Sequence, residues 1–225
     1  MPARSPHRAV LAAGFALGTL LVASALHAAP MTPQEIVTVC AEAEDPAHCG
    51  RLVETVQLKR LPSLASREGT ALKVGLFPEG AATFNDTDAL NGGRTYSLWD
   101  FLSEINAALL YTTDGDSIGF LLLQRTNGRS LELPSEPTVS PDRQRLVTAD
   151  FCATRCANEL AVWRVARDGV RKEYVWSPKA AWANATATWK ASDTVAVEYT
   201  TADGAKPATL ERRLSDNGWQ RPNAK

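Results

Sequence analysis

The chain is predicted to be mainly β, antiparallel and hairpin-rich, with a short disulfide-stapled helical hairpin in front of the β domain. Three observations predict this. Five Asn-Gly or Asp-Gly pairs follow Tyr96: Asp114-Gly115, Asn127-Gly128, Asp168-Gly169, Asp203-Gly204 and Asn217-Gly218. Positive φ at a turn centre costs these residues little, so such pairs are strong hairpin signals. Apolar runs of strand length lie between them. Ahead of them, two cap-then-proline signals each open a segment of helical periodicity.

Residues 1–28 read as a secretory signal peptide. Arg4 and Arg8 precede an uncharged apolar run, Ala9 to Leu26, and the small residues Ala28 and Ala29 follow. Ala23-Ser24-Ala25 fits the cleavage pattern. A cut after Ala28, with Leu26 at the −3 position, is looser, and Pro30 opposes a cut directly before it. The 18-residue run is near the lower limit for a membrane span. Its alanines and glycines favour removal, so no span is expected after cleavage.

Cleavage leaves about 197 residues, one ordinary domain or a domain with a small helical appendage. Loss of Arg4 and Arg8 takes the formal net charge from −1 to −3. A slightly acidic chain without runs of like charge has no electrostatic footprint for nucleic acid. The leader also carries His7 and His27, so His48 is the one histidine of the mature chain.

Cys40, Cys49, Cys152 and Cys156 all lie in the mature chain. An even count in an exported protein reads as two disulfides, and four cysteines allow three pairings. Local pairing, Cys40 with Cys49 and Cys152 with Cys156, is favoured. Neither spacing suits a four-cysteine zinc site, and neither is the C-x-x-C of redox-active thiols.

Residues 31–62 read as the helical hairpin. Thr32-Pro33-Gln34-Glu35 is a capping box with proline in the first turn. Ile36, Val39, Cys40 and Ala43 then share one helical face. Asp45-Pro46 repeats the start signal, Cys49, Leu52, Val53 and Val56 define the second apolar face, and Leu61-Pro62 ends it. Residues 63–94 are punctuated by Gly69, Gly75, Pro78, Gly80, Gly92 and Gly93 and read as an irregular connector, with one strand at Leu72 to Phe77.

Residues 95–221 read as the antiparallel β domain. Strands are expected at Ala107–Thr112, Ile118–Gln124, Leu146–Phe151, Leu160–Val165, Tyr174–Trp176 and Thr194–Tyr199. Val195, Val197 and Tyr199 alternate with polar residues as a half-buried strand should. Phe120-Leu121-Leu122-Leu123 is apolar on both faces, which places that strand centrally.

Within this domain, Ser140-Pro141-Asp142-Arg143 precedes the strand at Leu146, and Leu160-Ala161-Val162-Trp163-Arg164-Val165 follows. Trp189-Lys190-Ala191-Ser192-Asp193 leads similarly into Thr194–Tyr199, and Leu98 to Leu133 gives an earlier unit. The pattern resembles blades of WD-repeat or Tol-type β-propellers, with Arg143 where those families usually have glycine. The resemblance covers residues 97–219 and implies a binding scaffold of blade-like or open-sandwich form. Three units are too few for a closed propeller.

No catalytic constellation emerges. His48 lies off the apolar helix face and reads as a solvated histidine, which removes the base of a Ser-His-Asp hydrolase. Asp86, Asp88 and Asn91, with Asn85, form a loop cluster with calcium-like oxygen ligands, but Asn91 falls one residue late for an EF-hand loop. Glu132, Glu136, Asp150, Glu173 and Glu198 are available carboxylates, and their spacing singles out no pair. Trp163, Trp176, Trp182 and Trp189 either line an aromatic binding surface or pack across strands. No cofactor motif is present.

These residues point to an exported, periplasmic or secreted, non-catalytic binding or accessory protein. Its expected partner is another envelope or extracellular protein. The alternative is a carboxylate-based hydrolase acting on glycan or peptidoglycan.

Overall fold

The structure, a computed structural model, describes residues 30–87, 93–115, 117–204 and 206–222. The leader and its cleavage positions lie outside the described residues. Helix α1 (Pro33–Val39) starts at the capping box: the Thr32 hydroxyl accepts the Glu35 N–H, and the Glu35 carboxylate accepts the Thr32 N–H at 2.7 Å. Helix α2 (Pro46–Arg60) starts at Asp45, whose carboxylate accepts the His48 N–H at 2.7 Å. A Cys40–Cys49 disulfide joins the C-cap of α1 to the first turn of α2. His48 is half-buried rather than fully solvated, because its Nδ1 accepts the Glu44 N–H across the interhelical turn.

The strands form four antiparallel sheets in chain order. Sheet 1 holds β1 (Ala65–Glu68), β2 (Ala71–Gly75) and β3 (Ala81–Asn85). Sheet 2 holds β4 (Arg94–Leu102), β5 (Ala107–Asp114), β6 (Ser117–Gln124) and β7 (Ser130–Leu133). Sheet 3 holds β8 (Thr138–Val139), β9 (Arg145–Asp150), β10 (Glu159–Ala166) and β11 (Gly169–Trp176). Sheet 4 holds β12 (Trp182–Ala191), β13 (Thr194–Thr201) and β14 (Ala208–Arg213). Four of the Asn-Gly or Asp-Gly pairs join neighbouring strands. Asn217-Gly218 instead turns the chain back, so that Gln220 bridges Val175 of β11.

Sheet 1 corrects the expectation of an irregular connector over 63–94. Its strands are only four and five residues long. The glycines that read as loop punctuation are turn positions, with Gly69 at φ 59° and Gly80 at φ 96°. The sheet units therefore number four, not three. The two propeller-like turns occupy equivalent places, between the first and second strands of sheets 3 and 4. Arg143, standing where glycine was expected, takes the glycine-like φ of 60°.

The sheets stack face to face. Leu72 and Val74 of sheet 1 meet Leu98, Leu110, Leu121 and Leu123 of sheet 2. The other face of sheet 2, with Leu109, Tyr111, Phe120 and Leu122, meets Leu146, Ala161 and Trp163 of sheet 3 and Val53 of α2. Val147, Leu160 and Val162 on the far face of sheet 3 meet Trp182, Val195 and Val197 of sheet 4. The Phe120–Leu123 run is apolar on both faces because β6 serves two cores. Each leucine fully buried there contributes about 1.5–3 kcal/mol. No described core cluster joins sheet 1 to sheet 4, so the stack is open. Its end faces are polar, with Ser66, Lys73 and Thr83 at one end and Thr186, Thr188 and Glu198 at the other.

Of the apolar face read from periodicity, helix α2 fully buries Val53 and half-buries Cys49, Leu52 and Val56. It also buries Gly50, Glu54 and Gln57. The reason is what it meets: α2 lies along the outer edge of β4, whose backbone groups need partners. Glu54 Oε2 accepts the Leu98 N–H at 3.0 Å, and Gln57 donates to the Trp99 carbonyl at 2.6 Å. Asp86 accepts the Tyr96 N–H at 2.9 Å, while Arg51 and Arg67 both donate to the Tyr96 carbonyl. These four charged residues also close a ring: Arg67 bonds Glu54 through two nitrogens and Asp86 through a third, and Arg51 reaches both acids. Glu54 is 3 % exposed, and those partners offset the cost of burying its carboxylate.

Candidate functional site at the helix groove and the β4 bulge

Strand β4 carries a bulge. Leu98 pairs with Leu110 and Asp100 with Leu109, so Trp99 has no partner across the ladder. Its ring turns inward, stacked on Tyr111 at 4.9 Å and edge-on to Phe120 at 5.8 Å. Its indole N–H donates to Glu136 Oε1 at 2.9 Å, in the connection between sheets 2 and 3. Asp100, the residue after the bulge, is one of the charges that act on Glu136.

Burial pushes the Asp100 carboxyl above its ordinary range. The neighbouring Glu104 adds to the shift, and the Phe101 N–H and Arg60 oppose it. Glu136 is also pushed up, first by burial and then by the charge of Asp100, against the Trp99 hydrogen bond. Glu136 as a residue keeps much of its surface in solvent, but its carboxyl end sits against the protein. Protonation of Asp100 relieves the smaller part of the upward shift on Glu136, whose larger cause is burial.

Arg60, at the end of α2, links this pair to the helical hairpin. It donates to Glu35 at 2.7 Å. The Thr32 backbone N–H first, and Arg60 next, hold the Glu35 carboxyl down to about 2. Beside this ion pair runs a groove of about 260 Å³. Met31, Val39 and Val56 supply its apolar surface, and Thr38, Glu35 and Arg60 its polar one. The opposite charges of Glu35 and Arg60 cancel, which suits the groove to apolar side chains flanked by hydrogen-bonding groups.

The four tryptophans divide between two cores, the second of the two arrangements the sequence allows. Trp163 is buried between sheets 2 and 3 and donates to the Thr148 hydroxyl at 3.0 Å. Trp182, also buried, lies between sheets 3 and 4, stacked on Tyr199 at 3.9 Å. Trp176 and Trp189 pack against that same second core. Period-two alternation sends Trp163 to the opposite face of sheet 3, so the indoles act as packing.

Asp86 is occupied by Arg51, Arg67 and the Tyr96 N–H; Asp88 and Asn91 lie outside the described residues. The described residues contain no group of three or more metal-ligating side chains. Glu132 pairs with Arg94 at 2.6 Å and Glu173 with Arg145 at 2.8 Å, while Asp150 accepts the Ala157 N–H. Glu198 stands on the exposed face of sheet 4. Of the five available carboxylates, only Glu136 is drawn into the candidate site. Its partner Asp100, and the groove residues Met31, Val39, Val56 and Arg60, were not singled out from sequence as site residues, since only the bulge and the helix placement unite them.

Both local disulfides are present, Cys152–Cys156 closing the β9–β10 turn. No described helix is long and apolar enough to cross a membrane. Compared with known proteins, the chain matches no family model, no curated protein and no solved structure.

Proposed function

We infer that this chain is an exported binding or accessory protein of the cell envelope, and that it holds an apolar segment of another envelope protein in the groove between α1 and α2. The groove carries this reading: it is an apolar trough with a charge-neutral rim, on helices held by a disulfide. Export is supported by the charged, apolar and small-residue order of the leader and by two disulfides suited to an oxidising compartment. Saturable capture of one partner from envelope extract tests the reading. Val56→Asp abolishes capture and Thr188→Asp, on the far end of the stack, leaves it intact. Equal capture by all three proteins, or none by any, contradicts it.

The Asp100–Glu136 pair favours one second reading, hydrolysis of a glycan by two carboxyls with elevated proton affinity. On that reading Glu136→Gln and Asp100→Asn each abolish release of reducing ends from peptidoglycan. No release by the unmodified protein removes it.

A further inference from the structure

The four sheets have eight edge strands, and seven are protected. β1 carries Arg67 and Glu68, and β4 is covered by the side chains of α2, Arg67 and Asp86. β7 is four residues long, carries Glu132 and is followed by Pro134. β8 has two residues between Pro137 and Pro141, and its Thr138 carbonyl takes the Trp189 indole N–H. β11 carries Arg171, Lys172 and Glu173 and is bridged by Gln220. β12 has register irregularities near both ends, and its Ala187 carbonyl takes the Thr138 hydroxyl. β14 carries Glu211, Arg212 and Arg213, and the Trp219 indole donates to the Arg213 carbonyl. Charge, proline, short length, bulges and cover are the ordinary means of blunting an edge.

β3, of five residues, carries no charge, proline or bulge, and no described residue covers its outer side. Its sequence is Ala81-Ala82-Thr83-Phe84-Asn85, and it pairs with β2 alone. The direction of its backbone groups follows from its neighbours. The Leu76 N–H donates to the Gly80 carbonyl and the Asp86 N–H to the Thr70 carbonyl, so even-numbered residues face β2. Ala81, Thr83 and Asn85 therefore turn their N–H and C=O groups outward, and no described residue bonds them.

We propose that a second copy of this chain occupies this edge, β3 pairing antiparallel with β3 across a two-fold axis at Thr83. That centre is self-complementary. It sets Thr83 opposite the partner's Thr83 and Ala81 opposite the partner's Asn85, so all the outward groups of both strands are mated. On the face toward sheet 2, Phe84 falls opposite the partner's Ala82, large against small. On the solvent face a threonine pair stands at the axis, a favourable cross-strand combination, and no like charges oppose each other. The result is a continuous six-strand sheet built from two three-strand sheets.

Sedimentation equilibrium of the purified exported chain, from micromolar to millimolar concentration, tests this. The unmodified chain shows a monomer–dimer equilibrium. Thr83→Pro removes an outward N–H and Thr83→Lys adds edge charge, and each raises the dimer Kd by about tenfold or more without changing the melting temperature measured at concentrations where the chain is monomeric. Mild oxidation of Thr83→Cys gives a covalent dimer, because a hydrogen-bonded antiparallel pair holds its Cα atoms about 5.5 Å apart, within disulfide range. Thr209→Cys, on the outer face of sheet 4, gives none. A chain that stays monomeric throughout, or a dimer indifferent to both Thr83→Pro and Thr83→Lys, overturns the proposal. So does a Thr83→Cys adduct formed with another envelope protein in place of a second copy.

Discussion

Glu54 of α2 accepts the backbone N–H of Leu98 in β4 at 3.0 Å while its other oxygen bonds Arg67 at 2.5 Å. One carboxylate thus joins a helix to a strand edge and compensates a guanidinium that is itself largely buried. Removing it leaves a buried N–H and two arginines short of a partner. Glu54→Ala is expected to destabilise the fold by about 3–5 kcal/mol in urea unfolding. Glu54→Gln keeps one acceptor and costs less. Equal, small losses from both would show that water replaces the ring.

Gly50 is required by a close approach. A Cβ there would lie 2.9 Å from Tyr111 Cδ1 and 3.0 Å from Ser97 Oγ. Alanine improves helix propensity by about 1 kcal/mol, yet overpacking costs about 1–3 kcal/mol. Gly50→Ala is expected to lower the melting temperature. A rise would mean that α2 can move off β4.

Trp182 distinguishes packing from ligand binding. Trp182→Ala is expected to cost about 3–5 kcal/mol and to leave any partner affinity of the remaining folded protein unchanged. A stable variant that fails to bind would restore the aromatic-surface reading.

The pH dependence has two opposed components. Glu35 has a folded pKa of about 2, below its unfolded value, so its stabilisation is present above the unfolded value and is lost as pH falls from about 4.5 toward 2. Glu35→Gln should therefore destabilise near neutral pH, with the difference shrinking as pH falls toward and below 2. Asp100 is raised, so its folded form holds a proton longer than the unfolded chain. Stability falls as pH climbs from the unfolded value past the folded one, and Asp100→Asn should stabilise near neutral pH with the gain vanishing in acid. Urea titrations across this range check both signs.

Much of this architecture was legible in the residues. Thr32 and Asp45 cap the helices as their spacing says, and Val195 and Val197 point inward by simple alternation. The local cysteine pairs formed because each closes a short turn. Sheet 1 was not legible, because strands of four or five residues between glycines read as loop. The buried side of α2 was obscured for a different reason. Glu54 and Gln57 face inward to satisfy a strand edge, and a hydrophobic pattern cannot report polar burial. Asp100 follows a bulge and Glu136 lies in an inter-sheet connection, and neither feature leaves a spacing signature.

The groove between the helices is tested most directly by photo-crosslinking in living cells. A photoreactive side chain at Thr38, on the groove, should yield one defined adduct with an envelope protein, and the same group at Thr188 should yield none. No adduct from Thr38, or matching adducts from both positions, would contradict recognition at this groove.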